Sequence, residues 1–305
     1  MKIDVVIPTY CPDKNLIKVI QELENQTIQA NKIIIINTEK SKMKMSIQES
    51  LLKNTRVMLK HIKKAEFDHG NTRNQGMMLS EADFVLFLTQ DVEEIKNDLL
   101  ENMVAVFENQ EIASCYGRQL PRKDCHIIER FTRGFNYPSK SRIKTKDDVK
   151  ELGIKAYFCS DVCAMYRKST FIKLGGFPKK TIFNEDMIYA QKVLENNLII
   201  AYVAQATVVH SHNLTPIEQF HRNFDLGVSH AQFPNVFSNL KTSDEGIRLV
   251  KSTASYLIRI KKAYLIFYLI LLSGAKYIGF QMGKRYRSFP PKMVVACSDM
   301  KSYWE

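Results

Sequence analysis

No two cysteines in the sequence have the two-residue spacing of a zinc knuckle. The six cysteines, Cys11, Cys115, Cys125, Cys159, Cys163 and Cys297, are scattered. Cys159 and Cys163 lack a second pair or a histidine partner at finger spacing. Free thiols in a reducing compartment are the expectation. No basic stretch followed by a long apolar segment opens the chain, so a secretory leader is not expected. No internal repeat or low-complexity segment interrupts a sequence that is 45% hydrophobic and 25% charged, a balance that excludes a disordered protein.

Acidic residues are scarce near the end. After residue 240, twelve lysines and arginines meet only four acids, so +8 of the net charge of +12 lies in the last fifth of the chain. A basic tail implies nucleic acid, an anionic membrane or an anionic substrate as partner; a solubilising face is the plainer alternative. The aromatic residues there gather in an apolar run instead of alternating with basic residues. No nucleic-acid motif is present, so no nucleic-acid partner is expected. The apolar run, residues 263–275, has 13 residues, fewer than the roughly 20 that cross a bilayer. Extending it to Gly283 requires burying Lys276. Lys261 and Lys262 precede the run, and Tyr264, Phe267, Tyr268, Tyr277 and Phe280 lie in or beside it. That pattern predicts an amphipathic helix on an anionic membrane surface; a core helix or a homodimer interface is the alternative.

The first ninety residues alternate between two periods. Ile3 to Ile7 is a β-branched run stopped by Pro8. Leu16, Val19, Ile20 and Leu23 have helical spacing. Four consecutive isoleucines, Ile33 to Ile36, predict a strand buried on both faces, as in a parallel sheet. Val57 to His61 and Phe84 to Leu88 are further strands, with a helix over 71–80 between them. Alternating strands and helices define an α/β doubly wound sheet, whose ligands bind at the carboxyl ends of the strands. Pro8, Thr9, Tyr10, Asn37, Gln90 and Asp91 all follow strand ends and should line one rim. Residues 117–153 are polar and weakly periodic and are expected to be loops and an insertion. Strand character returns over 157–166, a helix over 184–195 and a strand over 199–209.

Several residues in this pattern can carry chemistry. Asp91 follows a buried strand, where its carboxylate can meet a hard cation or simply cap a turn. Asp186 and Glu185 open a helix, a position that favours acids with or without a reaction. His210 and His212 leave a strand two residues apart and so point to one face, which suits a metal or a diphosphate; a single satisfied histidine is the bland alternative. Asp68 to Asn74 is a loop-to-helix junction. Gly70 permits the turn, and the helix N-terminus and Arg73 favour an anion, unless Asp68 only caps the helix.

DVVIPTY (4–10), EFDHGNTRNQG (66–76), LFLTQDVE (86–93), FCSDVCAMYRKSTF (158–171), IFNEDMIYA (182–190) and AYVAQATVVHSHN (201–213) resemble, in that order, glycosyltransferase family 2. The DHG-x-TRN, TQD, NEDM and HSHN stretches are similar to its rhamnosyltransferase branch, whose members build rhamnose-containing cell-wall, capsule or O-antigen polysaccharides in bacteria. The resemblance implies a GT-A fold, inversion at the anomeric carbon and dependence on Mn²⁺ or Mg²⁺. It makes Asp91 the last carboxylate of a DxD-like motif, His210 the second metal ligand, and His212 a contact for the diphosphate or acceptor. Asp186 becomes the base that takes the acceptor proton, with Glu185 beside it. Pro8, Thr9, Tyr10, Asn37, Asp68, Arg73 and Gln90 become donor-binding residues, and Asp161 and Arg222 acceptor-binding ones. The donor it implies is dTDP-β-L-rhamnose and the acceptor a lipid-linked or polysaccharide sugar.

Departures from the family pattern are specific. Asn37-Thr38-Glu39 stands where an acidic residue usually reads the base. Thr89 replaces the first Asp of the metal motif, leaving one carboxylate. Gln219-Phe220-His221-Arg222 resembles the QxxRW helix of processive members, but Asn223 replaces the Trp, which points to a non-processive enzyme. A UDP-hexose or UDP-HexNAc donor and a catalytically silent scaffold of a polysaccharide assembly complex are the rival readings. The expected organisation is a GT-A domain over 1–235 and a basic helical extension over 236–305. The expected location is cytoplasmic, peripheral on the inner face of the plasma membrane.

Overall fold

Ile33, Ile34, Ile35 and Ile36 are all at most 1% exposed, because helices cover both faces of the sheet they cross. The computed structural model describes residues 1–238 and 243–304. Lys241 and Glu305, counted above in the charge of the tail, lie outside the described residues. Eight strands form one mixed sheet among them: β1 Ile3–Tyr10, β2 Lys32–Thr38, β3 Val57–Ile62, β4 Phe84–Leu88, β5 Ile112–Leu120, β6 Arg142–Lys144, β7 Cys163–Arg167 and β8 Ile199–Val209. Their order is β3-β2-β1-β4-β7-β5-β8-β6. The first four are parallel neighbours, β5 and β8 are parallel, and β7 runs antiparallel to both β4 and β5. This is the mixed α/β sheet of a GT-A fold, as expected.

Two compact units make up the chain. One is built from Met1–Arg122, Tyr137–Lys180 and Glu185–Ser211 and holds the whole sheet; the other from Lys123–Asn136, Thr181–Asn184 and the chain from His212 on. The second unit therefore begins earlier than the extension read from sequence and takes in two internal segments.

In the first unit, Val5 and Ile7 of β1 pack with Leu16, Val19, Ile20 and Leu23 of the helix Lys14–Glu24. That helix starts where the Asp13 carboxylate accepts a bond from Asn15 N–H at 2.8 Å. Val6 points the opposite way, onto the helix His69–Leu79. There a Cβ on Gly76 would lie 2.3 Å from Val6 Cγ1, so only glycine lets that helix approach. Phe87 on the same side joins Tyr166, Phe171, Phe177 and Tyr189 in mostly edge-on and tilted ring contacts of 4.8–6.5 Å.

Residues 117–153 are more ordered than expected. β5 continues to Leu120 past a register shift at Gly117/Arg118, which hides its alternation. Residues 127–136 form a helix, Ile127–Asn136, whose Ile127 and Ile128 pack against Leu257, Leu269 and Leu272. Local sequence could not reveal those partners, because they lie more than 120 residues away.

In the second unit, Thr215 and Glu218 form a capping box ahead of the helix Pro216–Gln232. Asp225 on that helix is 1% exposed and accepts bonds from Ser298 Oγ (2.7 Å) and the backbone N–H groups of Asp299 (2.9 Å) and Met300 (3.0 Å). Those bonds anchor the last described turn. The apolar run corrects one expectation. Its helix is Leu265–Lys284, 20 residues containing an 18-residue window of mean hydropathy 1.5, long and apolar enough to cross a membrane by length and composition. It runs straight through Lys276.

Candidate active site

Parallel pairing sets the carboxyl ends of β1, β2 and β4 on one edge of the sheet. Because β7 returns beside β4, with Cys163 opposite Leu88, its amino end lies on the same edge. The ends of β5 and β8 join them. Every rim residue expected from sequence therefore falls on one border.

At one corner, Thr9 Oγ1 donates to Asn37 Oδ1 at 3.1 Å, and Asn37 Nδ2 lies 3.0 Å from His61 Nδ1. Asn37 is fully buried, so it braces the two strand ends, and its amide stands where an acid was sought. Gln90 clamps Tyr10: Tyr10 N–H donates to Gln90 Oε1 at 3.0 Å, and Gln90 Nε2 donates to the Tyr10 carbonyl at 2.9 Å. The Tyr10 ring is left 46% exposed beside half-buried Pro8, a flat apolar surface open to a planar ligand. Asp68 caps the helix His69–Leu79, accepting from Asn71 N–H at 2.8 Å, so the plainer reading of that residue accounts for its geometry.

At the centre, His210 Nε2 lies 3.2 Å from Asp91 Oδ2 and His210 Nδ1 lies 3.1 Å from Gln119 Oε1. Gln119 Nε2 donates to Ser160 Oγ at 2.9 Å. The Gln119 oxygen is thereby left to accept from His210 Nδ1–H, which in the neutral ring turns the Nε2 lone pair towards Asp91. Two acceptor atoms then face each other, an arrangement that a proton or a cation between them relieves. His212, held beside His210 by two peptide links, adds a third ligand atom, and all three lie within 4.8 Å of one another. One carboxylate and two imidazoles can hold a divalent cation. Gln119 is 2% exposed and was not legible in the sequence, because it lies in the part of β5 beyond the register shift that hides the alternation.

The third group is acidic. Asn184, at a φ of 66° that asparagine tolerates, turns the chain into the helix Glu185–Glu195. Under that helix start lies Arg73, 6% exposed. Its Nε is 3.2 Å from Asp161 Oδ2 and its Nη1 3.0 Å from Glu185 Oε1, and Nη1 also donates to the His69 carbonyl at 3.0 Å. Arg73, expected to line the donor pocket, is thus spent on two buried carboxylates. Burial lowers its pKa, but Glu185, Asp161 and Asp186 more than offset that and raise it. Asp161, expected at the acceptor, is 3% exposed and accepts from Tyr166 Oη at 2.7 Å. Burial lifts it to about 7, against the pull of Arg73 and with the repulsion of Glu185.

Asp186 lies half-buried at the helix start, accepting from Met187 N–H at 2.7 Å and Asp161 N–H at 3.3 Å. Burial, then Glu185 and Asp161, push its pKa well above the carboxylate range. Three carboxyl groups share one guanidinium, so the one nearest solvent is a strong base once ionised. Gly70 makes room for this cluster: a Cβ there would stand 2.4 Å from the Pro178 carbonyl oxygen and 3.4 Å from Glu185 Cβ. Arg222 lies in the second unit, its guanidinium 5.1 Å from the Phe183 ring centroid.

A GT-A sheet that gathers Asp91, His210 and His212 in one cluster and three carboxyl groups around Arg73 in another has the architecture of a glycosyltransferase. The chain belongs to glycosyl transferase family 2, whose sequence profile matches residues 4–175. It is 40% identical over 306 residues to the O-antigen chain rhamnosyltransferase RfbN of Salmonella typhimurium, covering 100% of this chain and 96% of that protein. It is 38% identical over 283 residues to the O-antigen chain rhamnosyltransferase WbaN of Salmonella anatum, covering 92% of this chain and 88% of that one. Among solved structures it is similar to S. aureus TarS 1-349, with TM-score 0.56, 15% identity and coverage of 94% of this chain and 92% of that one. It is likewise similar to the mannosyltransferase PcManGT from Pyrobaculum calidifontis in complex with GDP-Man and Mn2+, with TM-score 0.57, 13% identity and coverage of 99% and 84%. At those identities the structural likeness is one of fold.

Proposed function

We propose that this glycosyltransferase moves L-rhamnose from dTDP-β-L-rhamnose onto a sugar hydroxyl of a lipid-linked acceptor in O-antigen or related polysaccharide synthesis, inverting the anomeric centre. The observation that carries the sugar and its destination is full-length similarity, at 40% identity, to a protein named as an O-antigen chain rhamnosyltransferase. The rim supports the reaction class.

In this reading the nucleobase lies against Tyr10 and Pro8, over the braced Thr9–Asn37 pair. Asp186 takes the proton from the acceptor hydroxyl, whose oxygen then attacks the anomeric carbon from the face opposite the nucleotide. Arg73, Glu185 and Asp161 fix the Asp186 carboxylate and set its basicity. Asp91, His210 and His212 would hold Mn²⁺ or Mg²⁺, which, when bound, neutralises the departing diphosphate. The two imidazoles favour Mn²⁺, because Mg²⁺ prefers oxygen ligands. The basic tail and the apolar face of Leu265–Lys284 support attachment to an anionic membrane surface, on the cytoplasmic side where nucleotide sugars are made available.

Two expected results follow from these assignments. Transfer from the β-donor should yield an α-L-rhamnosyl linkage, read from the anomeric coupling of the product by NMR; a β linkage would contradict attack opposite the nucleotide. Gln119→Leu should weaken Mn²⁺ binding by about 10–100-fold, the usual cost of losing the group that orients a metal-ligating histidine. Titration followed by electron paramagnetic resonance checks this, and unaltered affinity would remove Gln119 from that role.

A further inference from the structure

The second unit contains a cavity of about 430 Å³, within the roughly 300–1,000 Å³ range of small-ligand sites. It lies between the start of the helix Pro216–Gln232, at Gln219, and the amino-terminal half of the helix Leu265–Lys284. Farther along, glycines bring those helices into backbone contact. A Cβ on Gly279 would stand 2.3 Å from the Phe220 carbonyl oxygen, and one on Gly283 would stand 2.0 Å from that of Phe224. The amino-terminal half of the second helix is held away from this contact. Leu265, Tyr268, Leu272 and Lys276, spaced to share one side of that helix, line the cavity, and Ile128 and Gln219 are also in its wall.

Lys276 is out of place among these neighbours. It has no hydrogen-bond or ion-pair partner among the described residues. Glu129 also lines the cavity, but its carboxylate already holds Arg133 Nε at 2.7 Å. Burial lowers the Lys276 pKa; Glu129 opposes that, while Arg222 and Arg133 add to it. Lys276 is half-buried, and an ammonium on a wall that also carries Leu265, Tyr268 and Leu272 is placed to meet the anionic head of a ligand whose remainder is apolar. On the other side of the same helix, Phe267 is 71% and Ile270 59% exposed, so an apolar chain leaving the cavity has an apolar surface to follow.

We propose that this cavity holds the carrier end of the lipid-linked acceptor: an apolar chain bearing a phosphate or diphosphate head. Lys276 meets the head, and Leu265, Tyr268 and Leu272 line the chain. The assignment of this ligand as acceptor rests on the function proposed above; the binding itself does not.

The test is calorimetric titration of the full chain with farnesyl diphosphate, with inorganic pyrophosphate, farnesol and phosphatidylglycerol vesicles as separate arms. Farnesyl diphosphate should bind tighter than any of the three. Lys276→Met should weaken it by about 10–100-fold, the worth of a charged hydrogen bond, and Lys276→Arg should restore most of the loss. The arginine variant separates charge from damage to folding. Pyrophosphate binding as tightly as farnesyl diphosphate would reduce the cavity to a plain anion site, and vesicles competing equally would make it a membrane-lipid site. Unchanged affinity in Lys276→Met would overturn the proposal outright. Sugar transfer by the wild-type enzyme is measured separately. Probe binding without transfer would remove the acceptor role, and transfer without probe binding would remove the cavity.

Discussion

Replacing Asp186 with asparagine should lower kcat by about 10³-fold, in the middle of the range for removing a general base and equivalent to roughly 4 kcal/mol of barrier. The substitution keeps the shape of the side chain. The carboxamide oxygen can still accept from Met187 N–H, which now bonds Asp186 Oδ1 at 2.7 Å, so the helix start should persist and donor affinity should change little. What the amide cannot do is take the acceptor proton. The same geometry predicts the pH profile. Burial and the neighbouring carboxylates raise the Asp186 pKa, so in the proposed role of base it is protonated, and idle, at pH values where an ordinary carboxylate is already ionised. The rate should rise with pH along a limb that lies above the carboxylate range of about 4, and the asparagine variant should lose that limb. Turnover near the wild-type rate in Asp186→Asn, or an acid limb near pH 4, would remove Asp186 as the base.

Arg73→Met should be the most destabilising single change at the site, by about 3–5 kcal/mol at pH 8, the typical cost of breaking a buried ion pair from one side. The guanidinium is the counter-charge of Asp161 and Glu185, at 3.2 and 3.0 Å. Without it the carboxyls must ionise unpaired or keep their protons. The direction with pH follows from proton counting. Folding lifts Asp161 to about 7, whereas the unfolded chain loses that proton near pH 4. The folded state therefore binds more protons in between, and the contribution of this group is present in acid and lost as pH rises from about 4 through 7. Removing Arg73 raises the folded value further and extends the loss to higher pH, so the deficit should be larger at pH 8 than at pH 5. Urea melts at the two pH values check this; equal deficits, or none, would show that the guanidinium does not hold the carboxylates.

Much of the rim is legible in the sequence because it depends on local periodicity. Four isoleucines in a row require a strand covered on both faces, and Asp91 follows the next such strand. His210 and His212 follow the end of β8 two residues apart, a spacing that puts both on one side where the chain stays extended. Asp68 illustrates a limit: the pattern that suggests an anion site is also the pattern of a helix cap, and only coordinates show the carboxylate on Asn71 N–H. Other residues are invisible for a different reason. Gln119 orients His210 across 91 positions, and Arg73 reaches Glu185 across 112. Ile127 to Asn136 finds its apolar partners near residue 270. Lys276 is hydropathically a break in an apolar run, yet its helix continues, because the ammonium faces a cavity formed by other segments.

Turnover of the full chain with a panel of nucleotide sugars, in Mn²⁺, Mg²⁺ or EDTA and with a lipid-linked sugar acceptor, identifies the donor. Transfer should occur from dTDP-L-rhamnose alone, be abolished by EDTA and be restored by Mn²⁺. Transfer from a UDP-hexose or UDP-HexNAc in preference would contradict the rhamnose assignment, and full activity in EDTA would contradict the role given to Asp91, His210 and His212.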